Sequence, residues 1–229
     1  MAIFPKPNLT TCIARGDKKY PNRLKDLYDP PNNLYIDGDL RLLNQPMIAI
    51  VGSRKASSEG LKNAAAFAQE LSRAGLLIVS GLARGIDGAA HQATLCLGPK
   101  HFTMAVCGTG LDVIYPKEHL SLARNIQNQG LLVSEYPSGT PPRSGHFPRR
   151  NRIIAAFSIG VLVIEAAEKS GSLITARLAL EMGREVFAVP GSIRQPLSRG
   201  CNLLIQQGAK LVQSPQDVLE DLIFEKTPV

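Results

Sequence analysis

Short apolar runs alternate with amphipathic stretches along most of this chain. Residues 47–51 form one such run, apolar on both alternating faces, which is typical of a strand that helices cover on both sides. Apolar residues then recur at helical spacing from Leu61 to Leu71, and Gly75 marks the end of that helix. The strand pattern returns at residues 76–80, 102–107, 131–135, 159–165, 185–191 and 209–213.

This alternation of strands and helices predicts an α/β protein, with a doubly wound, mostly parallel sheet between two layers of helices. Residues 1–45 lack clear periodicity and contain several prolines, so we expect an irregular N-terminal lead-in that packs on the core. Residues 46–229 then form the main domain. In such a sheet the loops that follow parallel strands gather at one edge, where ligands bind.

The turn after the first strand has the composition of an anion site. Gly52 lets the backbone turn sharply, and the helix that follows begins with unpaired N–H groups and the positive end of its dipole. Ser53 and Arg54 are side chains that could join such a site. Without the arginine, an ordinary strand-to-helix turn would be the better interpretation.

Two later turns repeat this arrangement. A Gly-rich turn after residues 76–80 carries Arg84, and a later helix begins at Ser170, Gly171 and Ser172, where Ser172 is a natural N-cap. Because all these turns follow strands of one parallel sheet, we expect them to converge with the basic segment at residues 147–152.

That basic segment holds Phe147, Arg149, Arg150 and Arg152, and it ends a Gly- and Pro-rich stretch that we expect to be irregular from residue 136 to residue 148. No acidic residue lies between Glu135 and Glu165. Arginine forks suit phosphate, and an aromatic ring gives a base a surface to stack on. The alternative is that the phenylalanine fills the core while the arginines cap a helix or pair with remote carboxylates.

Composition agrees with a polyanionic partner but does not require one. Lys and Arg number 26 against 19 acidic residues, which gives a formal charge of +7. The four cysteines are scattered, the first residues resemble no signal peptide, and no apolar segment approaches the ~20 residues of a membrane span. We therefore expect a soluble, cytoplasmic protein without a membrane partner.

Several nucleotide and metal motifs are missing. No Gly-Lys pair exists for a Walker loop, and Gly108-Thr109-Gly110 does not complete a dinucleotide fingerprint because position 113 is Val. The four histidines lack the spacing of metal ligands. The sequence therefore predicts neither a metal nor a cofactor.

In its motifs the chain resembles the DprA/Smf family of DNA-processing proteins, bacterial factors of natural transformation. The motifs follow one another in order from about residue 20 to residue 213. They are Ile50–Arg54, Ser80–Asp87 with His91, Val133–Glu135, Phe147–Ala155, Glu165-Ala166, Ser170–Ala176, Val189–Gly191, Asn202–Ile205 and Gly208-Ala209.

This resemblance implies an extended Rossmann-like domain that binds single-stranded DNA, and double-stranded DNA more weakly. It also implies a homodimer that protects incoming DNA and helps load RecA recombinase, without catalytic activity. By position, the turn Gly52–Arg54 matches the family's phosphate-holding turn. Phe147, Arg149, Arg150 and Arg152 match its strand-binding segment, and Lys117 matches a further basic contact.

Two departures and two alternatives accompany this resemblance. Many members carry a small helical domain before this region and a winged-helix-like domain after it, and neither is recognisable here. Cys201 stands where relatives often have Thr. A phosphoribohydrolase-like enzyme would need a catalytic glutamate that residues 168–175 lack, and a nucleotide-binding sensor is the other alternative.

Overall fold

The computed structural model describes residues 10–222, and one nine-stranded sheet runs through them. Across the sheet the strands lie in the order β1-β2-β6-β5-β4-β3-β7-β8-β9. Their bounds are β1 Thr11–Ala14, β2 Asn33–Gly38, β3 Met47–Val51, β4 Leu77–Ser80, β5 Thr103–Cys107, β6 Leu131–Ser134, β7 Gly160–Val163, β8 Glu185–Ala188 and β9 Lys210–Leu211.

Helices cover both faces of this sheet. They are α1 Asn22–Lys25, α2 Ser58–Arg73, α3 Ile86–Leu95, α4 Leu120–Gln129, α5 His146–Phe157, α6 Gly171–Glu181, α7 Arg199–Gln206 and α8 Pro215–Asp221. Alternate strand residues reach opposite layers, as Ile48 and Ile50 pack with α2 and α3 while Met47 and Ala49 pack with α5. The predicted three-layer α/β fold is therefore confirmed.

The direction of the chain reverses at β3. From β3 the chain proceeds through β4 and β5 to β6, and it then returns to the other side of β3 to form β7, β8 and β9. Strands β3 to β9 are parallel to their neighbours among themselves. A ligand crevice is therefore expected at the carboxyl ends of β3 and β7, where the connecting loops diverge.

The prediction of an irregular segment over residues 1–45 is wrong for β1 and β2. Strand β2 pairs antiparallel with β6, and β1 pairs antiparallel with β2. Only Ile13 of β1 is buried, and β2 buries Leu34 and Ile36 alone, so neither strand is an apolar run. The division at residue 45 stays a prediction, and its outer ends, residues 1–9 and 223–229, lie outside the described residues.

The irregular stretch predicted for residues 136–148 also ends earlier than expected, because α5 begins at His146. Pro148 lies in the first turn of that helix, where the backbone N–H that proline lacks would have no intrahelical acceptor. Phe147 and the arginines are consequently side chains of a helix.

No helix among residues 10–222 combines the length and the apolar character needed to cross a bilayer.

Candidate nucleic-acid interface

A cavity of about 480 Å³ lies at the carboxyl ends of β3 and β7. We call it the switch-point pocket. It is walled by the turn after β3 and by the first turns of α5 and α6. Eight predicted site residues line it, namely Gly52, Ser53, Arg54, Phe147, Arg150, Ser170, Gly171 and Ser172. Sequence reasoning missed Lys55 and Asn151, which line the pocket beside them.

A smaller cavity of about 180 Å³ adjoins it, and we call this one the ring pocket. Arg54, Phe147 and Arg150 border both cavities, while Arg84 and Tyr115 border the ring pocket alone. The predicted convergence of the Gly-rich turns with the basic segment is thus visible in the structure for these residues.

The turn after β3 is held tightly against its neighbours. A Cβ at Gly52 would lie 2.6 Å from Cγ1 of Ile86 and 2.9 Å from the Glu165 carbonyl oxygen, so only glycine fits without a shift. The buried Ser53 hydroxyl accepts a hydrogen bond from the Lys55 N–H at 3.1 Å. Gly52 and Ser53 therefore shape the turn that presents Arg54.

The first turn of α2 is not the anion site that the sequence predicted. The Glu165 carboxylate accepts hydrogen bonds from the Ser57 N–H at 2.9 Å and from the Ser57 hydroxyl at 2.5 Å. Ser57 is the N-cap of α2, so an internal carboxylate already occupies the positive end of that helix. A bound phosphate must use other donors.

The first turn of α6 carries no such carboxylate. Ser170, rather than the predicted Ser172, is the N-cap, and its hydroxyl accepts from the Ser172 N–H at 3.3 Å. The two serine hydroxyls lie 2.7 Å apart, and the turn contains no acidic residue. Because this turn lines the switch-point pocket, the positive end of the α6 dipole and the two serine hydroxyls are placed to receive an anion.

Arg54 is exposed at the rim of both pockets. Its guanidinium carbon lies 5.7 Å from the centroid of the Phe147 ring, a cation–π distance. No carboxylate in the described range 10–222 lies within 4.0 Å of Arg54. Its charge therefore remains available for a phosphate.

The Phe147 ring is half-buried, so neither sequence alternative describes it completely. It packs over Gly108, where a Cβ would lie 3.0 Å from its Cδ1 atom. The Tyr115 ring, 48% exposed, lies with its centroid 5.4 Å from that of Phe147 at an interplanar angle of 39°. Tyr115 was not among the predicted site residues, although its position two residues before Lys117 was a usable signal.

Arg150 forms the common floor of the two pockets. Its side chain is buried and donates to the carbonyl oxygens of Gly81, at 2.7 Å, and Val106. Burial lowers the pKa of Arg150, an effect that the nearby Asp87 carboxylate partly offsets. Its direct bonds to the backbone make it a structural support for the site.

Arg149 and Arg152 lie away from both pockets. Arg152 pairs with the buried Glu135 carboxylate and donates to the Asp29 carbonyl at 2.6 Å. Arg149 contacts the Asp29 carboxylate at 2.8 Å and that of Glu135 at 3.2 Å. For these two arginines the structure shows the pairing with remote carboxylates that was the alternative interpretation.

Arg84 and Lys117 flank the ring pocket. One edge of the Arg84 guanidinium donates to both carboxylate oxygens of Glu118, Nε to Oε1 at 2.5 Å and the terminal nitrogen to Oε2 at 2.6 Å. This pair raises the pKa of Arg84 and lowers that of Glu118. Lys117 is exposed at the start of a 3₁₀ turn and lines neither pocket.

The family model for DNA recombination-mediator protein A matches residues 11–223. This chain belongs to that family. It is 53% identical over 208 residues to DNA processing protein DprA of Streptococcus pneumoniae, covering 91% of this chain and 73% of that protein. It is 50% identical to Protein Smf of Escherichia coli, covering 93% of this chain and 56% of that one. The resemblance to the DprA/Smf family is therefore confirmed.

Solved structures of the same family share the fold. The X-ray structure of DprA from Streptococcus pneumoniae superposes with a TM-score of 0.90 at 50% identity, covering 95% of this chain and 76% of that one. The Helicobacter pylori DprA structure, described by its single-stranded DNA binding mode, gives a TM-score of 0.84 at 32% identity over 93% and 95% of the two chains. A molybdenum cofactor binding protein from Rippkaea orientalis, 18% identical with a TM-score of 0.53, shares the Rossmann-like fold alone.

Proposed function

We propose that this chain binds single-stranded DNA along the carboxyl edge of its sheet and acts in natural transformation as a mediator, without catalysing a reaction. One observation carries the proposal. At the switch point, the first turn of α6, the Arg54 guanidinium, which has no carboxylate within 4.0 Å in the range 10–222, and the half-buried Phe147 border two adjoining pockets. The single-stranded DNA binding of the Helicobacter pylori relative supports it.

The contacts divide into phosphate and base contacts. Arg54, Lys55 and the first turn of α6 hold phosphates, because cationic side chains and helix N-termini bind anions without reading sequence. Phe147 and Tyr115 offer ring surfaces to a base, which any base can use. Arg84 and Lys117 extend the basic rim. Arg150 fixes the pocket floor, while Arg149 and Arg152 position α5.

Family membership supports a wider role. We propose that the protein protects incoming single strands, helps load RecA recombinase onto them, and works in the cytoplasm as a homodimer. Contacts to the phosphate backbone let a protein hold strands of any sequence, and the basic rim of the two pockets suits such contacts. Measuring the mass of the protein in solution tests the dimer.

A nucleotide-binding sensor or phosphoribohydrolase-like enzyme is the second candidate. The switch-point pocket, at about 480 Å³, falls in the size range of small-ligand sites, and such sites are found at switch points of α/β sheets. A free nucleotide would then displace DNA by filling this pocket.

Labelled single- and double-stranded oligonucleotides, titrated over a salt series, test the proposal. We expect tighter binding of single strands, little dependence on sequence, and affinity that falls linearly on a log–log plot against salt. Free nucleotide at matched concentration should displace little of the oligonucleotide. Salt-insensitive binding, selection of one short sequence, or full displacement by free nucleotide would contradict it.

A further inference from the structure

The loop of residues 190–198 lies at the same edge of the sheet as the switch-point pocket. It leaves the carboxyl end of β8, and its Leu197 lines that pocket. Since neighbouring strands are ~4.8 Å apart, β8 ends only about 10 Å from β3. A strand that leaves the pocket in the direction of β8 must pass over this loop.

This loop has a defined shape. The Asn202 side chain accepts from the Gly191 N–H at 3.2 Å and donates to the Gly191 carbonyl at 2.9 Å. The Gln195 N–H donates to Ser192, and the Leu197 carbonyl accepts from the Ala166 N–H at 2.7 Å. Asn202 belongs to a family motif to which the proposed function gives no other role.

The loop displays an unusual pair of side chains. Ile193 is 81% exposed, more than any other large aliphatic side chain in the described range 10–222, and the exposed Arg194 follows it. The chain contains no acidic residue between Glu185 and Asp217. An apolar side chain beside a cation, on a firmly held loop in an acid-free segment, matches the chemistry of a nucleotide better than that of an acidic or purely apolar protein surface.

We propose that residues 192–195 form a second contact for the single strand beyond the switch-point pocket. Arg194 binds a phosphate, Ile193 packs against a base or sugar, and Asn202 positions the loop through Gly191. This inference rests on the proposed function and extends its binding site from β3 and β7 to β8.

A length series of oligothymidylates separates this contact from the pocket. The double variant Ile193→Ser with Arg194→Ala should bind a strand of about 20 nucleotides roughly tenfold more weakly, with a salt slope smaller by about 1. A strand of about 4 nucleotides fills only the pockets, so it should bind the double variant as tightly as it binds the unchanged protein. Asn202→Ala should show a smaller loss for the long strand alone.

A control variant tests whether the loss of any exposed arginine weakens binding. Arg124→Ala removes one exposed arginine from α4, on the opposite face of the sheet, and should change neither affinity. Unchanged binding of the long strand by the double variant, with a normal melting temperature, would overturn the inference while Arg54→Ala still weakened both lengths. Equal losses at both lengths would overturn the position assigned beyond the pocket. If the unchanged protein bound neither length, the proposed function itself would fail.

Discussion

Two helices begin side by side at the carboxyl edge of this sheet, and they differ in whether a carboxylate already occupies the first turn. Both α2 and α6 start from a serine N-cap after neighbouring strands. At α2 the Glu165 carboxylate occupies the first turn, whereas the first turn of α6 contains no acidic residue and lines a pocket. A carboxylate 108 residues away in sequence thus decides which helix N-terminus is open to a ligand.

Removing the internal anion at α2 should lower the stability of the fold. Glu165→Ala deletes two charge-assisted hydrogen bonds at a helix N-terminus, so we expect the free energy of unfolding to fall by about 2–3 kcal/mol. Urea unfolding measures the change. Glu168→Ala is the control. The Glu168 carboxylate is exposed and as far as 3.8 Å from the Arg199 guanidinium, so its loss should change the free energy of unfolding little. Equal stabilities for the two variants would remove the contrast between α2 and α6.

Removing the cation at the open pocket should instead weaken binding. Arg54→Ala should weaken single-strand binding by about 1.5–3 kcal/mol, because a charge-assisted phosphate contact is lost, and should leave the melting temperature unchanged. Arg149→Ala is the matched variant from the same edge, with its guanidinium already paired to Asp29 and Glu135. A greater loss of affinity in Arg149→Ala than in Arg54→Ala would reverse the assignment of open and closed arginines.

Phe147 and Phe157 contrast an open and a closed ring on one helix. Phe147→Ala should lose about 1–3 kcal/mol of binding through lost base stacking, with a smaller loss of stability than Phe157→Ala. The Phe157 ring is fully buried, so its truncation should cost about 3–5 kcal/mol of stability. Titrations and thermal melts on both variants decide. A melting temperature that falls equally in both would make Phe147 a core residue.

His91 is buried and lines neither pocket, and the fold should lose stability at low pH because of it. Burial, with the charges of His119 and Arg150 adding to it, lowers the pKa of His91 to about 3. The unfolded state then binds a proton near pH 6.5 that the folded state does not, so stability is lost as pH falls through that value. From pH 7.5 to 5.5 this residue alone should lower the free energy of unfolding by about 1.4 kcal/mol.

Chemical unfolding at the two pH values measures this loss. His91→Leu should reduce the difference between them, whereas His101→Gln, which changes a half-buried histidine beside Ser72, should retain it. The same pH dependence in His91→Leu and in the unchanged protein would show that another group titrates.

The smallest effect is expected at Arg84. Its exposed pair with Glu118 competes with a phosphate, so Glu118→Gln should raise the affinity for single strands by no more than about threefold and should steepen the salt dependence. Arg84→Ala in the same background should abolish the gain. A loss of affinity in Glu118→Gln would mean that the pair orders the rim for binding.

The sequence predicted those parts of the molecule that depend on local pattern. Strands β3 to β8 are apolar runs and could be located from the sequence. The turn at Gly52–Arg54 could be located too, because it comes directly after β3. Strands β1 and β2 could not, because they bury too few apolar residues to form a run. Pro148 concealed the start of α5, since a proline in a first turn resembles one in a loop.

Within the site, the features that the sequence did not predict are contacts between residues from different parts of the chain. The basic composition of residues 147–152 did not show that Arg149 and Arg152 are paired, because the Glu135 carboxylate that binds both comes from another part of the chain. Likewise, the residues near Ser57 in sequence do not indicate that the Glu165 carboxylate binds its hydroxyl. The approach of Tyr115 to Phe147 depends on how two loops pack.

Photocrosslinking tests most directly whether the open edge is the DNA site. Oligothymidylates carrying a photoreactive thymidine analogue would be irradiated with the protein, and the attached peptides identified by mass spectrometry. We expect crosslinks at Tyr115 or Phe147 and in the first turns of α5 and α6, with their yield reduced in Arg54→Ala. Crosslinks confined to α4 and α8, with none at the two pockets, would contradict the account.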